Sequence, residues 1–339
     1  MDRTNRSPSR GRGFTLIELL VVVAIIALLI SILLPSLGAA RKIAKTVACS
    51  AKIKAINLAM TMYASEWNGA ILGNVHTSGA FMLDSTGTAI DSTWNDDNLL
   101  RINQCFDWTA PVAKYMNIAF DEGPKKNSNR YSILAEAKAF ACPENDILGV
   151  AFRGVPGDIT EPLLSYNTAM AFQYEWKSGA SSADAVYSGF STFKFPGYRP
   201  RIDLVGNPAS KVFLADGAKY WNSGQPGPPN VNIYFNGGGS PGGYYADWGP
   251  FNANTRSYNY VGTTGANGLS YAMRHGARDG KSLATSKFNV GFFDNHVETM
   301  TGLQGADPAM WAPKGASIDS SEAVLEAASR YMSGTMLVP

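Results

Sequence analysis

The chain has 339 residues, with 29 Lys and Arg against 27 Asp and Glu for a formal charge of +2, a balance that carries no electrostatic footprint for nucleic acid. Its three cysteines include no C-x-x-C pair, so a structural zinc site is not expected. The length suffices for one sizeable soluble domain, and 34 glycines with 15 tyrosines mark a loop-heavy β composition.

Residues 1–13 are short and basic, with Arg3, Arg6, Arg10 and Arg12 against Asp2. Such a flank stays on the cytoplasmic side of a membrane. Without it the chain holds 25 basic and 26 acidic residues, so the net positive charge belongs to the leader. The run Phe14 to Leu34 follows, polar only at Thr15, Glu18 and Ser31. As a helix it spans roughly 31 Å, the thickness of a bilayer's hydrocarbon core. A cleaved secretory signal has a shorter apolar stretch and a small-residue site after it, and neither fits here. A plain signal anchor explains the length but not Glu18, because an ionisable group inside a membrane segment calls for a partner.

The string "RGFTLIELLVVVAIIALL" joins a basic leader ending in Gly13, an aromatic first apolar residue, Phe14, and a glutamate four residues later. It closely resembles the type IV pilin and pseudopilin class of prepilins. The resemblance implies that a prepilin peptidase cuts between Gly13 and Phe14 and methylates the new amine. It implies single-pass insertion in the inner membrane before assembly, with the globular domain periplasmic or extracellular. The partners implied are copies of the chain, other pseudopilins and an inner-membrane assembly platform. In a filament, buried Glu18 would be compensated by the Phe14 amine of a neighbouring subunit.

Beyond Pro35 a helical period persists, with Ala40, Ala44, Val47, Ala51, Ala55, Leu58 and Met62 on one expected apolar face. Arg41, Lys42, Lys45, Lys52 and Lys54 take mostly other positions. The helix is expected to reach about Ser65 and to stop at Asn68 and Gly69. Pro35 removes a backbone donor and clashes with the preceding turn. Two readings of it stand: punctuation at the end of the membrane half, or a kinked or melted joint used in assembly. The expected division is a leader (1–13), a membrane and assembly helix (14–35), its amphipathic continuation (36–67) and a globular domain (68–339).

Cys49 reads as packing on the rod. Cys105 and Cys142 are the candidates for a disulfide in an oxidising compartment. "TAPVAKYMN" (109–117) reads as a short helix, and "SKVFLADGA" (210–218) as a strand ending in an Asp-Gly turn. The Gly- and Pro-rich stretch 221–243 reads as an exposed loop, and His76 lies in another. "FNVGFFDNHVETM" (288–300) reads as a hairpin turning at Asp294-Asn295. "DSSEAVLEAASRYM" begins with a capping-box pattern, Asp319 and Glu322, and carries a stripe of Val324, Ala327, Ala328 and Tyr331 expected to pack as a C-terminal helix.

Several of these pieces resemble one pseudopilin subfamily, known for a C-terminal His, a spacer of about nine residues and Asp-Gly-His-Val. The counterparts here are "RHG" (274–276) and "NVGFFDNHV" (289–297), with "FACPEND", "SYNTAM" and "FLADGA" as further landmarks. This chain departs from the pattern in two ways: 18 residues separate His275 from Asp294, and Asn295 replaces the glycine. His275, Asp294, Asn295 and His296 admit three uses. They can fix the hairpin by side-chain to backbone bonds, hold a metal (calcium through Asp294 and Asn295), or form an acid–base pair. No G-x-S-x-G, H-E-x-x-H or phosphate loop appears, so no enzyme and no cofactor other than that calcium is expected.

The expected fold is α+β and pilin-like, a long N-terminal helix on an antiparallel β-sheet domain with long Gly- and Pro-rich loops. The expected function is a structural subunit of a type II secretion-like pseudopilus or pilus-like filament. The alternative is a membrane-tethered protein that binds a glycan or secreted cargo through the 221–243 loop.

Overall fold

The computed structural model describes residues 14–71, 108–118, 137–145, 165–173, 175–176, 186–187, 193–220, 246–247, 256–258, 269–272, 274–276, 283–320 and 326–339. The leader, His76, Cys105 and the 221–243 loop lie outside them. The chain divides into two compact units, residues 1–44 and 45–339. The division falls inside the long helix, not at 35/36 or 67/68, so the second half of that helix belongs with the globular domain.

In the first unit, α1 (Leu16–Glu66) begins. Every side chain from Phe14 to Ala44 is exposed, including Leu16 at 76% and Leu34 at 62%. This is the one described helix long and apolar enough to cross a membrane. Ser31 Oγ donates to Leu28 O and Ser36 Oγ to Leu33 O, so both hydroxyls are satisfied within the helix, as a hydrocarbon environment requires. The helix is continuous through Pro35. A melted joint is absent: losing one backbone donor does not unwind a helix bonded on both sides.

In the second unit α1 buries Cys49, Ile53, Ile56, Asn57, Ala59, Met60, Tyr63 and Ala64. The expected face is therefore overturned. Val47, Ala51, Ala55, Leu58 and Met62 are exposed and lie on the opposite side. The expected stripe is mostly alanine, whereas the buried one brings two isoleucines, a methionine and a tyrosine, and apolar area decides which face goes inward. Cys49 and Asn57 disguised that stripe in the sequence. The helix stops where expected. Asn68 and Gly69 take positive φ (53° and 82°), and Gly69 N–H donates to Ala64 O at 2.7 Å, a Schellman closure.

Next come α2 (Thr109–Tyr115) and the short strands β1 (Tyr166–Ala169), β2 (Glu175–Trp176), β3 (Val186–Tyr187) and β4 (Phe193–Lys194). They are followed by β5 (Val212–Tyr220), β6 (Ala246–Asp247), β7 (Arg256–Tyr258), β8 (Leu269–Ala272) and β9 (His275–Gly276). The last are β10 (Ser286–Phe292), β11 (Val297–Thr301), β12 (Ser317–Ile318) and β13 (Met336–Leu337). Eight of these strands form the main sheet, whose spine is β11-β10-β5-β1-β6. The spine is antiparallel except at β1–β6. The α+β, pilin-like class read from the sequence is the architecture found.

Strand β5 corrects another expectation. It runs straight through Asp216-Gly217, pairing Asp216 with Tyr166 and then Gly217 with Tyr271, so no turn occurs there. Asp216 stays in the strand because its partners, described below, are buried beside it. The hairpin β10–β11 has the expected place and a five-pair register from Lys287↔Thr301 to Gly291↔Val297. Near the C-terminus, the described part of the expected helix is a 3₁₀ stretch, Glu326–Arg330, with Ala328 buried and Tyr331 41% exposed. Asp319 Oδ2 accepts from Thr335 Oγ1, while Glu322 and Val324 lie outside the described residues.

Candidate functional site

The start of α1 is a reciprocal capping box. Thr15 N–H and Thr15 Oγ1 both donate to Glu18 Oε2, at 2.8 and 2.9 Å, and Glu18 N–H lies 3.3 Å from Thr15 Oγ1. The sequence reading missed this role, although T-x-x-E at 15–18 is its signature. Glu18 therefore serves its own helix through one carboxylate oxygen. Phe14 is 70% exposed at the head of this turn. Gly13 lies outside the described residues.

A second constellation lies within the domain. Its members come from α1, the segment after Phe140, and strands β1, β5, β9 and β10. Asp216 is the hub and is fully buried. Its Oδ1 accepts from Cys49 Sγ at 3.0 Å, and its Oδ2 accepts from Asn289 N–H at 2.7 Å. His275 Nε2 stands 3.1 Å from Oδ2, and Arg274 Nη1 stands 3.7 Å from Oδ1. Arg274 also donates to Ser165 O and Gly217 O, which locks the guanidinium across β1 and β5. Cys142 Sγ is 3.9 Å from His275 Nε2, and Tyr166 Oη is 3.4 Å from Cys49 Sγ. On the far side of the ring, His275 Nδ1 meets Thr46 Oγ1 at 3.1 Å and Glu144 Oε2 at 3.9 Å.

Each of the landmark strings thus contributes a residue to one place: Cys142, Tyr166, Asp216, His275 and Asn289. Burial would raise the Asp216 carboxyl, but the charges and bonds of His275 and Arg274 outweigh it and hold it below its usual value. Burial would lower His275, and the Asp216 carboxylate instead carries it up to about 10. Burial, with the neighbouring Cys142 and Asp216, pushes the Cys49 thiol well up. Cys142 goes the other way: burial opposes its ionisation, but bonds from Cys49 and His275 and the Arg274 charge prevail. Among the described residues the cluster is buried, and it holds protons and charge within the domain.

The chain matches the prokaryotic N-terminal methylation motif over residues 8–34. It is also similar to type II secretion system core protein G of Pseudomonas aeruginosa, 32% identical over 126 residues, which covers 84% of that protein and 37% of this chain. The chain belongs to the pseudopilin family. No solved structure matches it. A capped apolar helix with a glutamate in its first turn is the local geometry of the segment that the motif describes.

The structure brings together only part of the pseudopilin's expected site. His275 and Cys142 meet in the buried cluster, whereas Asp294, Asn295 and His296 form a separate turn. Of the candidate disulfide pair, Cys142 is a buried thiol beside His275, and Cys105 lies outside the described residues. Cys49 does more than pack, since its thiol donates to Asp216.

At the turn, Asp294 Oδ1 accepts from His296 N–H at 3.1 Å and also contacts His296 Nδ1. The His296 ring stacks on Phe292 with centroids 4.1 Å apart. Asn295 takes φ 73°, and its Oδ1 accepts from Thr61 Oγ1 at 3.0 Å. Calcium takes six to eight oxygens. Asp294 Oδ1 and Asn295 Oδ1 are both already engaged, so the described turn does not fit a calcium cage. Of the residues that the acid–base reading joins, Asp294 and His296 touch each other, whereas His275 lies apart from them beside Asp216. Four other donors do lie together: Cys49, Cys142, Asp216 and His275 place their ligand atoms within 4.8 Å of one another, all buried. The absence of a C-x-x-C spacing concealed them.

Proposed function

We propose that this pseudopilin is cut between Gly13 and Phe14, methylated there, and assembled through α1 with copies of itself or other pseudopilins into a type II secretion-like pseudopilus or pilus-like filament. The observation that carries the reading is Glu18, the one carboxylate in an otherwise apolar and wholly exposed membrane-length segment, with both Thr15 bonds gathered on Oε2. Its other oxygen is then available to the Phe14 amine of an adjacent subunit. The exposed stripe Val47, Ala51, Ala55, Leu58 and Met62 adds an apolar face for neighbouring helices, and its alanines permit close approach. Before assembly the segment spans the inner membrane with the β domain on the far side, consistent with the basic leader.

The test separates charge from capping. Glu18→Gln keeps an oxygen for Thr15 but removes the charge, and Glu18→Ala removes both. Membrane insertion and the processed N-terminus, read by mass spectrometry, should be unchanged in either variant. Filaments seen by electron microscopy should be lost in both. Normal filaments from Glu18→Gln would exclude the amine pairing.

A further inference from the structure

We propose that Cys49, Cys142, Asp216 and His275 form a structural zinc site inside the domain. The donor set is two thiols, one imidazole Nε2 and one carboxylate, the ligand types that bind zinc in closed tetrahedral sites. Zinc–sulfur bonds near 2.3 Å and zinc–nitrogen or –oxygen bonds near 2.0–2.1 Å place tetrahedral donor atoms roughly 3.3–3.8 Å apart. Here Cys49 Sγ is 3.0 Å from Asp216 Oδ1, Asp216 Oδ2 is 3.1 Å from His275 Nε2, and Cys142 Sγ is 3.9 Å from the same nitrogen. All the pairs fall within 4.8 Å, so small rotations suffice to close on one ion.

The surroundings fit as well as the donors. A zinc-bound imidazole is oriented through its other nitrogen, and His275 Nδ1 faces Thr46 Oγ1 and Glu144 Oε2. Asn289 Nδ2, 2.9 Å from His275 Nε2, would yield that contact to the ion and keep its second acceptor, Thr46 O. Charge closes too. Two thiolates and the Asp216 carboxylate balance Zn²⁺ and the Arg274 guanidinium, with Glu144 facing the imidazole from outside the ligand set. Zinc would join α1 to strands β5 and β9 and to the segment carrying Cys142. It would clamp the soluble half of the rod to the sheet without a disulfide.

The experiment uses the full chain, purified in detergent under reducing conditions without a metal-affinity step, and titrated with zinc. One zinc per chain, retained through dialysis and lost in Cys49→Ser and Cys142→Ser, is the expected result. Because those variants can misfold, cobalt(II) is also added to the zinc-free wild type. Thiolate-to-cobalt charge transfer with the intense visible bands of a tetrahedral ion is expected, and zinc should then protect both thiols from alkylation. A reduced chain that takes up no zinc and gives no cobalt bands would overturn the proposal. So would stoichiometric zinc that persists in both serine variants. A Cys49–Cys142 disulfide in protein isolated from cells without reductant, seen as the loss of two hydrogens, would also overturn it and assign the pair to covalent cross-linking.

Discussion

Gly291 on β10 touches Asn57 on α1 so closely that a Cβ added to the glycine would stand 2.4 Å from Asn57 Nδ2 and 2.5 Å from Ile53 Cγ2. The helix is held at that distance by Asn57 Nδ2, which donates to Phe292 O at 3.1 Å. Gly291→Ala should lower the stability of the domain by about 1–3 kcal/mol, because a methyl group has no space there. Thermal unfolding of the detergent-solubilised chain measures it. Asn57→Ala in the same chain should return part of the loss. An alanine variant as stable as wild type would mean that the helix does not pack on β10 this tightly.

Thr15 and Glu18 separate helix capping from assembly. Thr15→Ala removes the hydroxyl that supports the first turn, worth about 1 kcal/mol, yet leaves the carboxylate. Its filament yield, measured by immunoblot of sheared fractions, should stay near wild type, whereas Glu18→Ala should give almost none. Equal losses in the two would assign Glu18 to capping alone.

Lys211 is a buried amine whose Nζ donates to Ala309 O at 2.7 Å. Burial lowers it from 10.5 to about 8, with Asp307 acting weakly the other way. Between pH 8 and 10.5 the unfolded chain therefore binds a proton that the folded chain has released, so this group makes stability rise with pH in that window. Below pH 8 both states hold the proton and the desolvation penalty is at its full value. Lys211→Met should stabilise the protein at pH 7 by about 1–3 kcal/mol, an advantage that shrinks steadily from pH 8 to 10.5. The difference between variant and wild-type melting curves isolates this lysine from the tyrosines. A difference independent of pH would exclude the amine as its cause.

Asn295 carries the turn between β10 and β11 in two ways, a left-handed backbone and the acceptor for Thr61. Asn295→Gly should lose about 1 kcal/mol, the hydrogen bond alone. Asn295→Ala should lose a further 1 kcal/mol or about that from its positive φ. Chemical denaturation compares them, and identical losses would remove the backbone argument.

What the sequence made legible is what is local along the chain. The leader charge, Phe14, Glu18 and the apolar length lie within one continuous stretch, and the stop at Asn68-Gly69 is set by two adjacent residues. The β10–β11 hairpin and the short helix α2 are local in the same sense. The buried cluster is not, since its donors at 49, 142, 216 and 275 meet only after the sheet forms. Asp216-Gly217 was misread as a turn for that reason, its partners being invisible from residues 210–218. The lengthened spacer after His275 becomes intelligible in three dimensions. His275 pairs with Lys287 across β9 and β10, so the strand register itself fixes the two ends of the lengthened spacer.

The capping box at the head of α1 bears on maturation. Its donors are the amide and hydroxyl of Thr15 and the amide of Glu18, so among the described residues its bonds lie within 15–18. Severing the Gly13–Phe14 bond would therefore leave these three bonds in place. Under the proposed maturation, the helix released by the cut would already be the helix offered to a filament, and the cut would change only what stands in front of it.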